Sequence, residues 1–146
     1  MQENYEITIV GRQTVDRETD EIKVDTLGDY VDKGAIKFIS YMEYDTDAPY
    51  AGRHKIIKIE PDGVVSIFTP GTPTRLVLEK GKRHNCVYDT GAGLLSLGVF
   101  TQMLKYDLSP MGGELRIGYT LDINTQLSSQ NEICVTLKKR GTSIEN

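Results

Sequence analysis

Glu114-Leu115-Arg116-Ile117-Gly118-Tyr119-Thr120-Leu121-Asp122-Ile123 is the stretch that decides how this chain reads. Leu115, Ile117, Tyr119, Leu121 and Ile123 fall on one side of an extended backbone. Glu114, Arg116, Thr120 and Asp122 fall on the other. Successive side chains of a strand point to opposite faces, so this period of two predicts a sheet with one dry side. The pattern recurs outward in both directions. Tyr5, Ile7 and Ile9 alternate with Glu6 and Thr8. Ile22, Val24 and Tyr30 oppose Glu21, Lys23, Asp25 and Asp29. Ile36, Phe38 and Met42 oppose Lys37, Ile39 and Tyr41, and Ile133, Val135 and Leu137 close the series.

Turn chemistry separates these segments. Asp32-Lys33-Gly34 and Pro61-Asp62-Gly63 read as hairpin turns, because glycine supplies the positive φ such loops need. Asp16–Asp20, Pro70–Pro73, Gly81-Lys82, Asp107–Gly113 and Asn124–Gln130 read as further polar connections. Asp45–Gly52 reads as a mobile loop, and residues 139–146 as a disordered tail after a single domain over 1–138. Leu94–Tyr106 is ambiguous, since Leu97, Phe100, Met103 and Leu104 fit a helical stripe about as well as a strand face. Gly98 inside the segment and the β-branched and aromatic run Val99-Phe100-Thr101 favour a strand.

Sequential strands joined by tight turns, with no helix to cross over, predict an all-β antiparallel up-and-down meander. An open sheet of this size would leave two exposed edges and a greasy face. Closure into a barrel of roughly eight to ten strands removes both, and leaves an interior near the size of one small ligand.

Bulk properties exclude more than they assign. A net charge of −4 gives no general attraction to nucleic acid or anionic membranes. Lys80–Arg83 and Lys138–Arg140 are the basic clusters, and both sit where a turn or tail would be solvated. The start, MQENYEITIVGRQ, reads as neither a signal peptide nor a membrane span, which makes a cytoplasmic location the expectation. Cys86 and Cys134 then read as free thiols on strands, with no metal spacing between them.

Tyr88-Asp-Thr-Gly91, Leu95, Leu97, Gly98, Val99, Thr101, Gly113-Glu-Leu115, Ile117 and Tyr119-Thr-Leu121 resemble the YwiB-like family of bacterial calycin-type β-barrels, a domain of unknown function. Gly28-x-Tyr30 and Tyr41-x-Glu43-Tyr44 resemble that family's early strands, so the likeness runs from about Tyr5 to Leu137. It implies a small lipocalin-like cytoplasmic barrel and no established activity. One departure is visible: where the family tends to place a basic residue and a glycine, this chain has Phe68-Thr69-Pro70-Gly71, with Arg75 displaced downstream.

No catalytic residue, metal site or cofactor is expected. Gly91-Ala-Gly93 and Gly98 lack the third glycine of a dinucleotide fingerprint, since Ser96 stands there. Asp45 and Asp47 lack the rest of a calcium loop. His84, Cys86 and Tyr88 share a strand face, but nothing orients a Cys–His pair whose Cα atoms lie nearly 7 Å apart. An enzyme reading would have to rest on His84 or on His54.

The candidate ligand-binding residues are Tyr30, His84, Tyr88 and Tyr119, because inward phenols seek polar partners. The leading expectation is a barrel that binds a small, partly apolar or amphipathic ligand inside. The alternative is a structural or interaction module with a solid core. Ile56, Ile57, Ile59, Val64, Val65, Ile67 and Phe68 put apolar side chains on both faces, so either a loop or a second subunit, in a homodimer, is expected to cover the outer one.

Overall fold

The structure, a computed structural model, describes residues 3–44, 52–89 and 91–141. It contains β1 (Tyr5–Val15), β2 (Glu18–Lys33), β3 (Ile36–Tyr44), β4 (Gly52–Ile59), β5 (Val65–Phe68), β6 (Arg75–Leu78), β7 (Arg83–Asp89), β8 (Leu94–Ser109), β9 (Gly112–Ile123) and β10 (Gln126–Lys139). Each strand pairs antiparallel with its neighbours in sequence. β1 closes the barrel against β10 through a register running from Tyr5–Lys139 to Thr14–Gln130. No helix occurs among the described residues, so Leu94–Tyr106 is strand throughout.

The connections are tighter than the sequence suggests. Asp16 and Arg17 take φ of 49° and 71°, and Asn124 and Thr125 take 54° and 66°. Positive φ at both central residues is the signature of two-residue turns whose twist matches that of the flanking strands. Gln126–Gln130, expected as a connection, belongs instead to β10, with a register shift between Leu127 and Ser129. Only Pro110 and Met111 separate β8 from β9. The expected loop at Asp45–Gly52 lies largely outside the described residues. β10 ends at Lys139, and Arg140 still hydrogen-bonds through its backbone N–H to the Asn4 carbonyl at 2.8 Å.

One seam is thin. β6 meets β7 in the ladder only at Arg75–Val87. Beside it the Val77 N–H donates to Cys86 Sγ at 3.3 Å. The following turn is pinned to β8 instead, with the Gly81 N–H donating to the Thr101 carbonyl at 2.8 Å.

The inner face is not uniformly buried. Call the end bearing the termini and the turns at Gly34, Gly63 and Gly81 the near end; the turns at Asp16-Arg17 and Asn124-Thr125 lie at the far end. Toward the near end Ile7, Ile39, Ile57, Ile59, Val65, Leu78, Leu115, Ile117 and Val135 are each at most 1% exposed. Close packing of this kind stabilises by about 1.5–3 kcal/mol per side chain relative to exposure. Gly28 belongs to this tier because a Cβ there would collide with the Ser40 carbonyl oxygen and Ile7 Cδ1. Tyr5 and Tyr30 plug the near end edge-to-face at 5.8 Å, and Tyr5 Oη donates to the Pro110 carbonyl at 2.7 Å. One step toward the far end, Ile9, Val24, Ile67, Leu76, Leu121 and Ile133 are only half-buried. Cys86, Leu97 and Val99 stay buried toward the far end on β7 and β8, so the barrel is solid at one end and opens like a bowl on the remaining side of the other.

Candidate functional site

The far end is the candidate site, because there the inner wall is apolar, accessible and interrupted by a few polar groups. The apolar wall is the half-buried tier just described. Above it, the inward-phase Val15 and Ile22 stand 42% and 67% exposed around the rim, with Leu94 and Leu127 exposed on the outer face at the same end. Large aliphatic side chains held that far into water at the ends of separate strands mark a contact surface.

Two grooves open on this end. One, of about 470 Å³, is lined by Arg53, His54 and Lys55 of β4 and by Thr74, Tyr88 and Asp89 across the β5–β6 turn. That turn is tied down: Thr72 Oγ1 donates to the Thr69 carbonyl at 2.9 Å, and the Asp89 N–H donates to Thr74 Oγ1 at 3.0 Å. The other, of about 320 Å³, runs past Gly11, Ile22, Tyr119, Asn131 and Ile133. Both volumes fall near the range of small-molecule sites. A groove of about 260 Å³ between Val10, Met103, Arg116 and Cys134 lies on the outer wall, where alternation points those side chains away from the core.

The polar groups gather where the packed and half-buried tiers meet. Lys55 follows Ile57 and Ile59 along the inward face of β4, and its register partner on β3 is Tyr41. No ion pair or hydrogen bond engages the Lys55 ammonium among the described residues. On the far wall, Thr101, Tyr119 and Asn131 form one inward row across β8, β9 and β10. Asn131 Nδ2 donates to Ser129 Oγ at 2.9 Å, while Thr101 Oγ1 is buried with no partner among the described residues. Burial pushes the Tyr119 phenol up to about 12. It raises Tyr41 further, with help from the Glu43 carboxylate. Both phenols therefore stay protonated at neutral pH and can donate a hydrogen bond.

The four residues expected to bind ligand do not converge. Tyr30 lies in the near-end plug, 6% exposed, its hydroxyl buried without a partner among the described residues. Burial first, then the Asp32 carboxylate and Tyr5 hold its pKa up against the Lys37 ammonium. Tyr88 sits at the far-end rim, 42% exposed. Tyr119 lies between, at the junction. His84 is half-buried and turned to Glu79, with Nε2 at 2.9 Å from Oε1; that contact, with Lys82, lowers the Glu79 pKa. Cys86 offers its Sγ to the His84 carbonyl at 3.9 Å rather than to the ring, and burial raises its pKa, so the two make no nucleophile–base pair. Among the described residues no group of three or more His, Cys, Asp or Glu could hold a metal.

Lys55 and Tyr41 were missed by sequence reasoning. The signal was present as Lys55-x-Ile57-x-Ile59, a cation in phase with two apolar residues, but Ile56 obscured which face turned inward.

Fold and site together define a closed antiparallel barrel of ten strands with one packed end and one open apolar end. The family model named domain of unknown function DUF1934 matches residues 7–135, and the chain belongs to that family. The chain is also similar to the crystal structure of ywiB protein from Bacillus subtilis, at 18% identity and a TM-score of 0.79, over 92% of this chain and 90% of that one. No curated protein matches.

Proposed function

We propose that this barrel is a non-enzymatic, cytoplasmic binding protein that takes a small, partly apolar molecule into its open end. The carrying observation is the step in burial along the inner face, from Ile7, Ile57 and Ile117 at no more than 1% exposed to the half-buried Ile9, Ile67 and Leu121. Half-buried aliphatic side chains on a concave wall gain about 25 cal/mol per Å² when a ligand covers them. The free thiols of Cys86 and Cys134 suit a reducing compartment.

A neutral environment-sensitive naphthalene dye tests the reading. It should bind the wild-type protein at one per chain. Ile133→Arg should abolish that binding, whereas Val31→Arg, on the outer face at the near end, should leave it intact. Equal binding by both variants, each folded by circular dichroism, would remove the bowl as the site.

The exposed rim residues favour a second reading, a module that docks this end on another protein. The outer apolar strip is a candidate for self-association, although Ile56 and Phe68 are half-buried within the chain and Arg75 lies 4.9 Å over the Phe68 ring. A dimeric mass by light scattering at tens of micromolar would support that role, and a monomeric one would end it.

A further inference from the structure

We infer that the bowl takes an amphipathic anion head-first, with the Lys55 ammonium holding a carboxylate or phosphate group at the floor and the apolar body lying along the upper wall. The inference rests on the binding reading above and adds the chemistry and orientation of the ligand.

Three observations carry it. The first is the position of Lys55. It lies one inward position beyond Ile57 on β4, whose register partner on β5 is the half-buried Ile67, and it is itself half-buried. A cation in such a position loses hydration and needs an anion in return. Among the described residues, the other charged side chains of the inner face do not supply it. Lys37, at the near end, bonds to Asp32 at 3.0 Å. Glu43, across from Arg53 at the rim, is exposed and makes no ion pair with Lys55. Asp20 lies far up the β1–β2 hairpin, paired with Gln13.

The second observation is the company Lys55 keeps. Tyr41 is its register partner, and Tyr119, Asn131 and Thr101 form an inward row of donors on β9, β10 and β8. Among the described residues, Thr101 Oγ1 is buried and unpartnered. An anionic oxygen accepts from ammonium, phenol, amide and hydroxyl alike, and charge-assisted bonds of this kind are about twice as strong as neutral ones.

The third is the vertical order of polarity. Donors line the floor, aliphatic side chains the wall, and Val15 and Ile22 the rim. A molecule with a charged head and a hydrocarbon body matches that order only with its head down. The alternative, a Lys55 side chain that merely bends its ammonium out to water, would give no preference for a charged head.

The experiment compares decanoate, decyl phosphate and decanol, which share one chain length, by calorimetric titration of wild type, Lys55→Met and Tyr119→Phe. An anion favoured over decanol by about tenfold in wild type and not in Lys55→Met supports the proposal. Whichever of decanoate and decyl phosphate binds more tightly identifies the head group. Decanol binding retained by Lys55→Met shows that the variant keeps its bowl. Equal affinity for all three in wild type overturns the head-group assignment and leaves the bowl reading standing. An anion preference that survives in Lys55→Met overturns the role of Lys55. Failure of all three compounds to bind wild type overturns both.

Discussion

The two ends of this barrel are made from the same strands, yet they solve opposite problems. At the near end alternate residues of most strands meet across the axis at full burial, and two tyrosines stop the gap, whereas β7 and β8 bury Cys86, Leu97 and Val99 toward the far end. At the far end the strands carry on past the point where they can touch one another, so equally apolar side chains face a space. β1 shows the transition within five residues: Tyr5 and Ile7 are buried, and Ile9 is half-exposed. The near end supplies stability, and the far end supplies a surface that the described residues leave uncovered. The contrast teaches that composition is a poor guide to which part of a barrel is core, since Ile57 and Ile67 differ in position and not in chemistry.

The largest effect that would test this contrast is a truncation on each side of the boundary. Ile117→Ala, in the packed tier, should cost about 2–5 kcal/mol in urea unfolding. Leu121→Ala, four residues along the same face of β9, should cost roughly 1–2 kcal/mol, because part of its surface is already wet. Equal losses would show that the packing is uniform.

Next in size is the alkaline limb of stability. Tyr41 and Tyr119, at the boundary, have folded pKa values above the ordinary 10.0, chiefly through burial. Groups raised in this way contribute fully below that value. Their contribution disappears as the pH climbs through the folded pKa, here across pH 10 to 12. Tyr119 alone should account for about 3 kcal/mol of that fall. Absorbance near 295 nm should show these two phenols ionising last, and Tyr119→Phe should flatten the decline.

Smaller still, Lys55→Met should leave the unliganded protein unchanged or stabilise it by up to about 1 kcal/mol, because it removes a half-buried charge. A clear loss of stability would mean that Lys55 has a structural partner. Least of all, Arg83→Ala should leave the urea-unfolding midpoint almost unchanged. Its bridge to Asp122, Nη2 to Oδ1 at 2.6 Å, is exposed on the outer wall and screened by water.

Much of the architecture is legible in the chain, and the reasons are local. The Glu114–Ile123 alternation, the Pro61-Asp62-Gly63 hairpin and the absence of helical periodicity each state their structure within a few residues. Leu94–Tyr106 was ambiguous because a bulge between Thr101 and Met103 breaks the period of two, bringing both Thr101 and Leu104 inward. The lengths of the turns at Pro110-Met111 and Asn124-Thr125 escaped because polar residues can serve as strand in a long hairpin. The candidate site was less legible still. Tyr30, Tyr88 and Tyr119 share an inward phase, but their depths along the axis depend on strand tilt and register, which alternation does not encode. Lys55 was hidden for the same reason, directly before Ile56 and Ile57 in a segment apolar on both sides.

The most direct measurement is a methyl-resolved NMR titration of the full chain with decanol, which tests the open end without invoking charge. Resonances of Ile9, Leu76, Leu121 and Ile133 should shift together and saturate at one ligand per chain, while Ile39, Ile57 and Ile117 stay in place. Shifts spread equally over both groups, or confined to outer-wall methyls such as Val10, would contradict a barrel built closed at one end and open at the other.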